Sequence, residues 1–168
     1  MLLGMRGRTM RTMRLVGANG DQVELDIAGY QFPDIADEQW DSNWLNITIT
    51  ATVDHRSWTS RDPSLLTMEV EELARWLEAV TDAKEVDREL EFTEPNLAFQ
   101  LDAISGAEIH LRVWFECESR PAWKPNRVAD ARDLAATLSV SPTELRRAAA
   151  DLHSQLARFP TRVPFRSG

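Results

Sequence analysis

The chain has 168 residues, 43% of them hydrophobic, with 19 Lys and Arg against 27 Asp and Glu for a net charge of −8. This length suits one domain around one core, and the sequence holds no run of 18 apolar residues to cross a membrane as a helix. The charge is uneven: residues 15–118 carry 23 acids against 6 bases, while residues 1–14 are +4 and residues 119–168 are +5. Nucleic acid is thereby excluded as a direct partner of the main body, because affinity for phosphate backbones comes from Lys and Arg.

From the N-terminus, Arg6, Arg8, Arg11 and Arg14 stand without an acid, and Met1, Met5, Met10 and Met13 fall in the same stretch. The apolar core and cleavage site of a secretory signal are missing there. Residues 1–13 are read as a disordered tail or as lying upstream of the true start, at Met10 or Met13, and residues 14–168 as a single α+β domain. Ala18-Asn19-Gly20-Asp21 is a hairpin turn signal pairing Arg14–Val16 with the alternating Val23, Leu25 and Ile27. Leu45, Ile47, Ile49, Ala51 and Val53 alternate with polar residues in the same way. Thr67 is the expected N-cap of a helix over Met68–Val80, whose stripe is Val70, Leu73, Ala74, Leu77 and Val80. Trp76 falls beside the stripe.

Leu90 and Phe92 alternate with Glu89 and Glu91, Glu94-Pro95-Asn96 interrupts the ladder as a possible bulge, and Leu97, Phe99 and Leu101 resume it. Ser105-Gly106 marks a turn into Ile109, Leu111, Val113 and Phe115, with His110, Arg112, Trp114 and Glu116 on the other side. Two prolines make Ser119–Asn126 a loop. Residues 128–138 read as helix or as strand; the alternation of Leu134, Ala136, Leu138 and Val140 favours a strand. Ser141-Pro142-Thr143-Glu144 joins a capping box to Pro at the first helical position, opening a helix that ends at Pro160. The expectation is an α+β fold in which a mainly antiparallel sheet of about six to seven strands packs against two helices.

No phosphate-binding glycine loop, nucleophile elbow or zinc helix occurs. Cys117, the sole cysteine, permits neither an intramolecular disulfide nor a cysteine-rich zinc site, fits a reducing cytoplasm, and is expected to be buried. His55, His110 and His153 are too dispersed for metal-ligand spacing. The pairs Glu24 and Asp26, Glu89 and Glu91, and Glu116 and Glu118 read as solvated faces in so acidic a chain. Neither a catalytic residue nor a cofactor or metal is called for, and binding of a basic protein is the expected activity.

The ordered series Tyr30-Gln31-Phe32-Pro33, Asp41-Ser42-Asn43-Trp44-Leu45, Leu65-Leu66-Thr67-Met68-Glu69, Trp76-Leu77, Phe92-Thr93-Glu94-Pro95-Asn96-Leu97 and Phe159-Pro160-Thr161-Arg162 resembles the WapI family of bacterial immunity proteins. The resemblance implies a non-enzymatic cytoplasmic protein without a cofactor that neutralises the C-terminal domain of a wall-associated polymorphic toxin, in the best-known cases a nuclease acting on transfer RNA. On that reading Glu89, Glu91, Glu116 and Glu118 meet a basic toxin surface, with Trp114 or Trp44 as aromatic anchor. Two alternatives stand beside it: a structural or adaptor module forming a homo-oligomer, and a carboxylate-dependent hydrolase.

Overall fold

Alternation along the chain becomes alternation of faces. In the computed structural model, which describes residues 11–125 and 132–165, β1 (Met13–Val16), β2 (Gln22–Tyr30), β3 (Trp44–Val53) and β4 (Arg56–Leu66) form one antiparallel sheet in sequential order. Helix α1 (Thr67–Thr81) follows. β5 (Glu89–Glu91), β6 (Leu97–Ser105), β7 (Glu108–Phe115) and β8 (Ala135–Val140) form a second such sheet, again followed by a helix, α2 (Pro142–Leu156). The apolar positions of both sheets and both helices join one buried cluster, and the two helices pack against each other.

The fold is α+β with antiparallel strands and, among the described residues, two helices, but the strands there number eight and divide between two sheets. The additional strand is β4, which alternation does not reveal because its core-side positions opposite Ala51, Ile49 and Ile47 are Trp58, Ser60 and Asp62. It is an edge strand, where Pro63 is tolerated beside a register shift. Glu94-Pro95-Asn96 is a hairpin connection rather than a bulge: β5 turns back on β6, pairing Glu89 with Gln100 and Glu91 with Ala98. The strand reading holds for β8; residues 126–131 lie outside the described residues.

The helix starts show one device twice. At α2 the Ser141 hydroxyl accepts from Glu144 N–H (3.2 Å) and the Glu144 carboxylate from Ser141 N–H (2.7 Å), the full capping box. At α1 the cap position is Leu66 rather than Thr67. Leu has no acceptor, so only the reciprocal half forms, from Leu66 N–H to Glu69 Oε2 (2.9 Å). Thr67 is the first helical residue, and its hydroxyl serves a tertiary contact described below.

Buried polar groups fasten the edges. Gln155 is fully buried; its Oε1 accepts from Ile27 N–H (2.7 Å) while Nε2 donates to the carbonyls of Leu25 (3.1 Å) and Arg11 (3.0 Å). Its amide thus bridges β2 and the chain just before β1, continuing the ladder. Thr12 adds a bond from its hydroxyl to Asp26 (3.2 Å) and Met13 is fully buried, so residues 11–13, assigned from sequence to the tail, are held against the sheet. Residues 1–10 lie outside the described residues. Asp21 accepts from Asp54 N–H (3.1 Å) and from Thr137 N–H (3.0 Å), tying two turns of the first sheet to β8. Gly17 packs so closely there that a Cβ would stand 2.9 Å from the Thr137 carbonyl oxygen.

Candidate protein-binding surface

Three of the sequence-derived contact residues share one face. Glu89 and Glu91 project from the outer side of β5, and Trp114 from the same side of the second sheet, where its indole N–H donates to Gln100 Oε1 (3.0 Å). The acids are not bare: Arg132 forms ion pairs with both. Burial opposes the Arg132 charge, but the hydrogen bonds and charges of Glu89 and Glu91 outweigh it and raise the guanidinium's pKa. Trp114 is half-buried, with the guanidinium carbons of Arg112 and Arg132 at 5.3 and 5.9 Å from its ring centre. Arg112 also pairs with Asp102 (2.9 Å). Two bases therefore sit among the acids of this face, one of them from the basic C-terminal segment.

Glu116 and Glu118 lie elsewhere, the first capping and the second inside a 3₁₀ turn over Cys117–Ser119 that meets β4. Glu116 N–H donates to the Asn96 carbonyl (3.0 Å), and its Oε1 is buried without a hydrogen-bond partner among the described residues. Desolvation, then the charge of Glu118, pushes the Asp62 carboxyl above its ordinary range. Cys117 is exposed and left-handed (φ 49°), not buried as expected, because it begins the tight turn that ends β7. Desolvation and then Glu118, Glu116 and Glu94 raise its thiol pKa against the opposing Arg120, which keeps it protonated and poorly nucleophilic. Nearby, Arg120 has a side chain only 2% exposed and binds Asp133 (2.6 Å) and the Lys124 carbonyl (2.9 Å).

Trp44 marks a third region. It is half-buried at the start of β3, where its carbonyl accepts from Gln31 N–H (2.8 Å) and closes the base of the loop 31–43. Asn43 holds that loop from inside. Fully buried, its Nδ2 donates to the carbonyls of Gln39 (2.9 Å) and Val163 (2.7 Å), and its Oδ1 accepts from the Thr67 hydroxyl (3.3 Å) and Arg162 N–H (2.9 Å). These four bonds use the whole capacity of a carboxamide. The Tyr30 hydroxyl donates to the Pro160 carbonyl (2.5 Å). Arg162 lies 3.6 Å over the Tyr30 ring and donates to the carbonyls of Phe32 (3.2 Å), Pro33 (2.9 Å) and Ile35 (2.7 Å).

What the middle of this loop displays, above all Trp40, escaped the reading of the sequence. Asp34, Asp37, Glu38 and Asp41 lie within thirteen residues that contain no base, and none forms an ion pair among the described residues. Trp40 is 50% exposed and meets Phe165, itself 36% exposed, edge to face at 4.6 Å. Phe32, earlier in the same loop as Trp40, is also exposed. The available signal was an aromatic inside a base-free acidic run, hidden by the absence of any periodicity.

A surface cleft of about 300 Å³ is lined by Glu78, Asp82 and Arg146. Glu78 is engaged by His153 Nε2 (2.9 Å) and Arg146 approaches Asp82 at 3.9 Å, so each carboxylate of the cleft already has a partner. Among the described residues no three His, Cys, Asp or Glu converge as metal ligands, and no helix is long and apolar enough to cross a membrane.

Fold and surface define an acidic α+β scaffold whose buried polar side chains secure loops and strand edges. The chain belongs to the WapI-like immunity protein family, whose model matches residues 14–160. Comparison with curated proteins and with solved structures gives no significant match. The shared sequence pieces acquire a physical meaning: Tyr30, Asn43, Thr67, Glu69 and Arg162 hold backbone or one another, and Asn96 ties the second sheet to the end of β4. Glu69 accepts from both Leu66 N–H and Thr93 N–H, and Asn96 Nδ2 donates to the Ser64 hydroxyl (3.3 Å).

Proposed function

We propose that the protein binds and occludes a cognate bacterial toxin domain in the cytoplasm of the producing cell, without catalysis. Family membership over residues 14–160 carries this reading. The toxin domain is taken to be the C-terminal end of a polymorphic toxin, with a tRNA-cleaving nuclease as the leading class, because an acidic body complements a cleft built to hold RNA phosphates. Glu89, Glu91 and Trp114 on the second sheet, Glu116 and Glu118 at the corner, and Trp44 at the loop base belong to the proposed contact surface. Since Arg132 already compensates Glu89 and Glu91, that pair acts as rim rather than centre.

Co-expression tests the reading. The C-terminal domain of a secreted repeat protein encoded beside this gene should kill a host when expressed alone, and this protein should restore growth by forming a complex recoverable from the cells. Killing that persists despite full expression of this protein removes the immunity reading.

A further inference from the structure

The geometry points to the aromatic patch on the loop 31–43 as the energetic centre of the toxin interface, taking a basic protein surface that carries an apolar pocket. This rests on the immunity reading and names the surface it uses. Trp40 and Phe165 pack edge to face at 4.6 Å while remaining 50% and 36% exposed, so their rings cover each other without being covered by the fold. Large aromatics contribute most to binding when they are already fixed, because no rotamer or loop freedom is lost on docking. Here the fixing groups are identifiable. Ser42 Oγ accepts from Glu38 N–H (2.9 Å) and Asn43 N–H bonds the Trp40 carbonyl (2.9 Å). Asn43 and Arg162 clamp the two ends of the loop from beneath.

The charge around the patch selects the occupant. Asp34, Asp37, Glu38 and Asp41 form no ion pair among the described residues, and Arg162 beneath the loop spends its guanidinium on the carbonyls of Phe32, Pro33 and Ile35, in contrast to the acids of the second sheet, which Arg132 and Arg112 pair directly. A second copy of this chain is a poor fit. A two-fold interface sets the same patch against itself, bringing eight carboxylates together where like charge disfavours association. A basic partner meets the same acids with gain, and the uncompensated charge accelerates its encounter.

The test uses the full chain and the purified toxin domain encoded beside its gene. Trp40→Ala should weaken binding about 30-fold or more. Asp37→Lys with Glu38→Lys should slow association about tenfold at low salt and much less at high salt. The same charge change at Glu85 and Asp87 separates contact from net charge. That connection follows the C-terminus of α1, whereas Thr67 at its N-terminus touches Asn43, so the two sites lie about 20 Å apart along a 15-residue helix. Reversal there should change association less than threefold, and reversal of Glu89 with Glu91 should fall between the two pairs. Circular dichroism and thermal melts check that each variant is folded.

Loop variants that bind within threefold of the parent overturn this inference and leave the immunity reading standing. A parent that neither binds nor protects overturns both. A parent that is dimeric by light scattering and becomes monomeric on Trp40→Ala assigns the patch to self-association and overturns the inference as well.

Discussion

The two halves of the molecule share a plan, four sequential antiparallel strands and then a 15-residue helix opened by a glutamate at its third position. They differ in what becomes of their acids. On the second sheet, Glu89, Glu91 and Asp102 stand opposite arginines, and Trp114 is half-buried between guanidinium groups. In the first, the connection from β2 to β3 swells to thirteen residues and presents an exposed Trp40 and four acids that form no ion pair among the described residues, the nearby Arg162 being engaged by loop carbonyls. Local charge density in a sequence is thus a poor guide to surface potential, because bases far along the chain fold back onto some acids and not onto others. Arg132 reaches β5 across more than forty residues.

Removing the support of the first region should have the largest effect. Asn43→Ala deletes the four hydrogen bonds of a fully buried carboxamide and strands three backbone partners and the Thr67 hydroxyl. A loss of about 3 kcal/mol, read as a melting temperature lower by roughly 6–12 °C, is expected. The amides of residues 31–43 should exchange faster than those of the sheets. If the protein melts unchanged, the loop is not held as described.

Arg132→Ala uncovers the acids of the second region and removes the difference between the halves. The pairs are partly exposed, so the cost should be about 0.5–1 kcal/mol, or roughly 1–4 °C, largest at low ionic strength. A larger loss insensitive to salt would mean that Arg132 acts by packing on Trp114 rather than by charge.

The smallest expected effect is at the corner between the halves. Desolvation and Glu118 raise the Asp62 pKa, so the folded state holds that proton more tightly than the unfolded chain. Its favourable contribution is complete below the ordinary carboxyl pKa and is lost as pH rises through the folded value. Asp62→Asn should therefore raise the melting temperature by about 1–2 °C at pH 7, after allowance for solvent screening. The gain should disappear near pH 3. An unchanged gain at low pH would place its origin in packing.

Where burial is one-sided, the sequence spoke clearly: Val23, Leu25 and Ile27, or Ile109 through Phe115, alternate because one face meets the core and the other meets water. The Ser141 cap was equally legible, since its partners lie within three residues. β4 was not, because Trp58, Ser60 and Asp62 on an edge strand break the pattern that burial imposes on central strands. The Glu94-Pro95-Asn96 break signalled an interruption, and only the pairing of Glu89 with Gln100 shows that the chain reverses there. The ordered motifs were visible as residues but not as a network.

By itself, then, the sequence determined the fold class, most strand faces, both helices and the family, since these follow from local periodicity, capping and residue order. The tertiary structure alone decided which acids are compensated, that Cys117 faces outward and that Trp40, half-exposed against Phe165, tops a clamped loop. The physical reason is range: periodicity and caps act between neighbours a few residues apart. Ion pairs, loop clamps and exposure depend on segments as distant as Asn43 and Arg162 meeting in space.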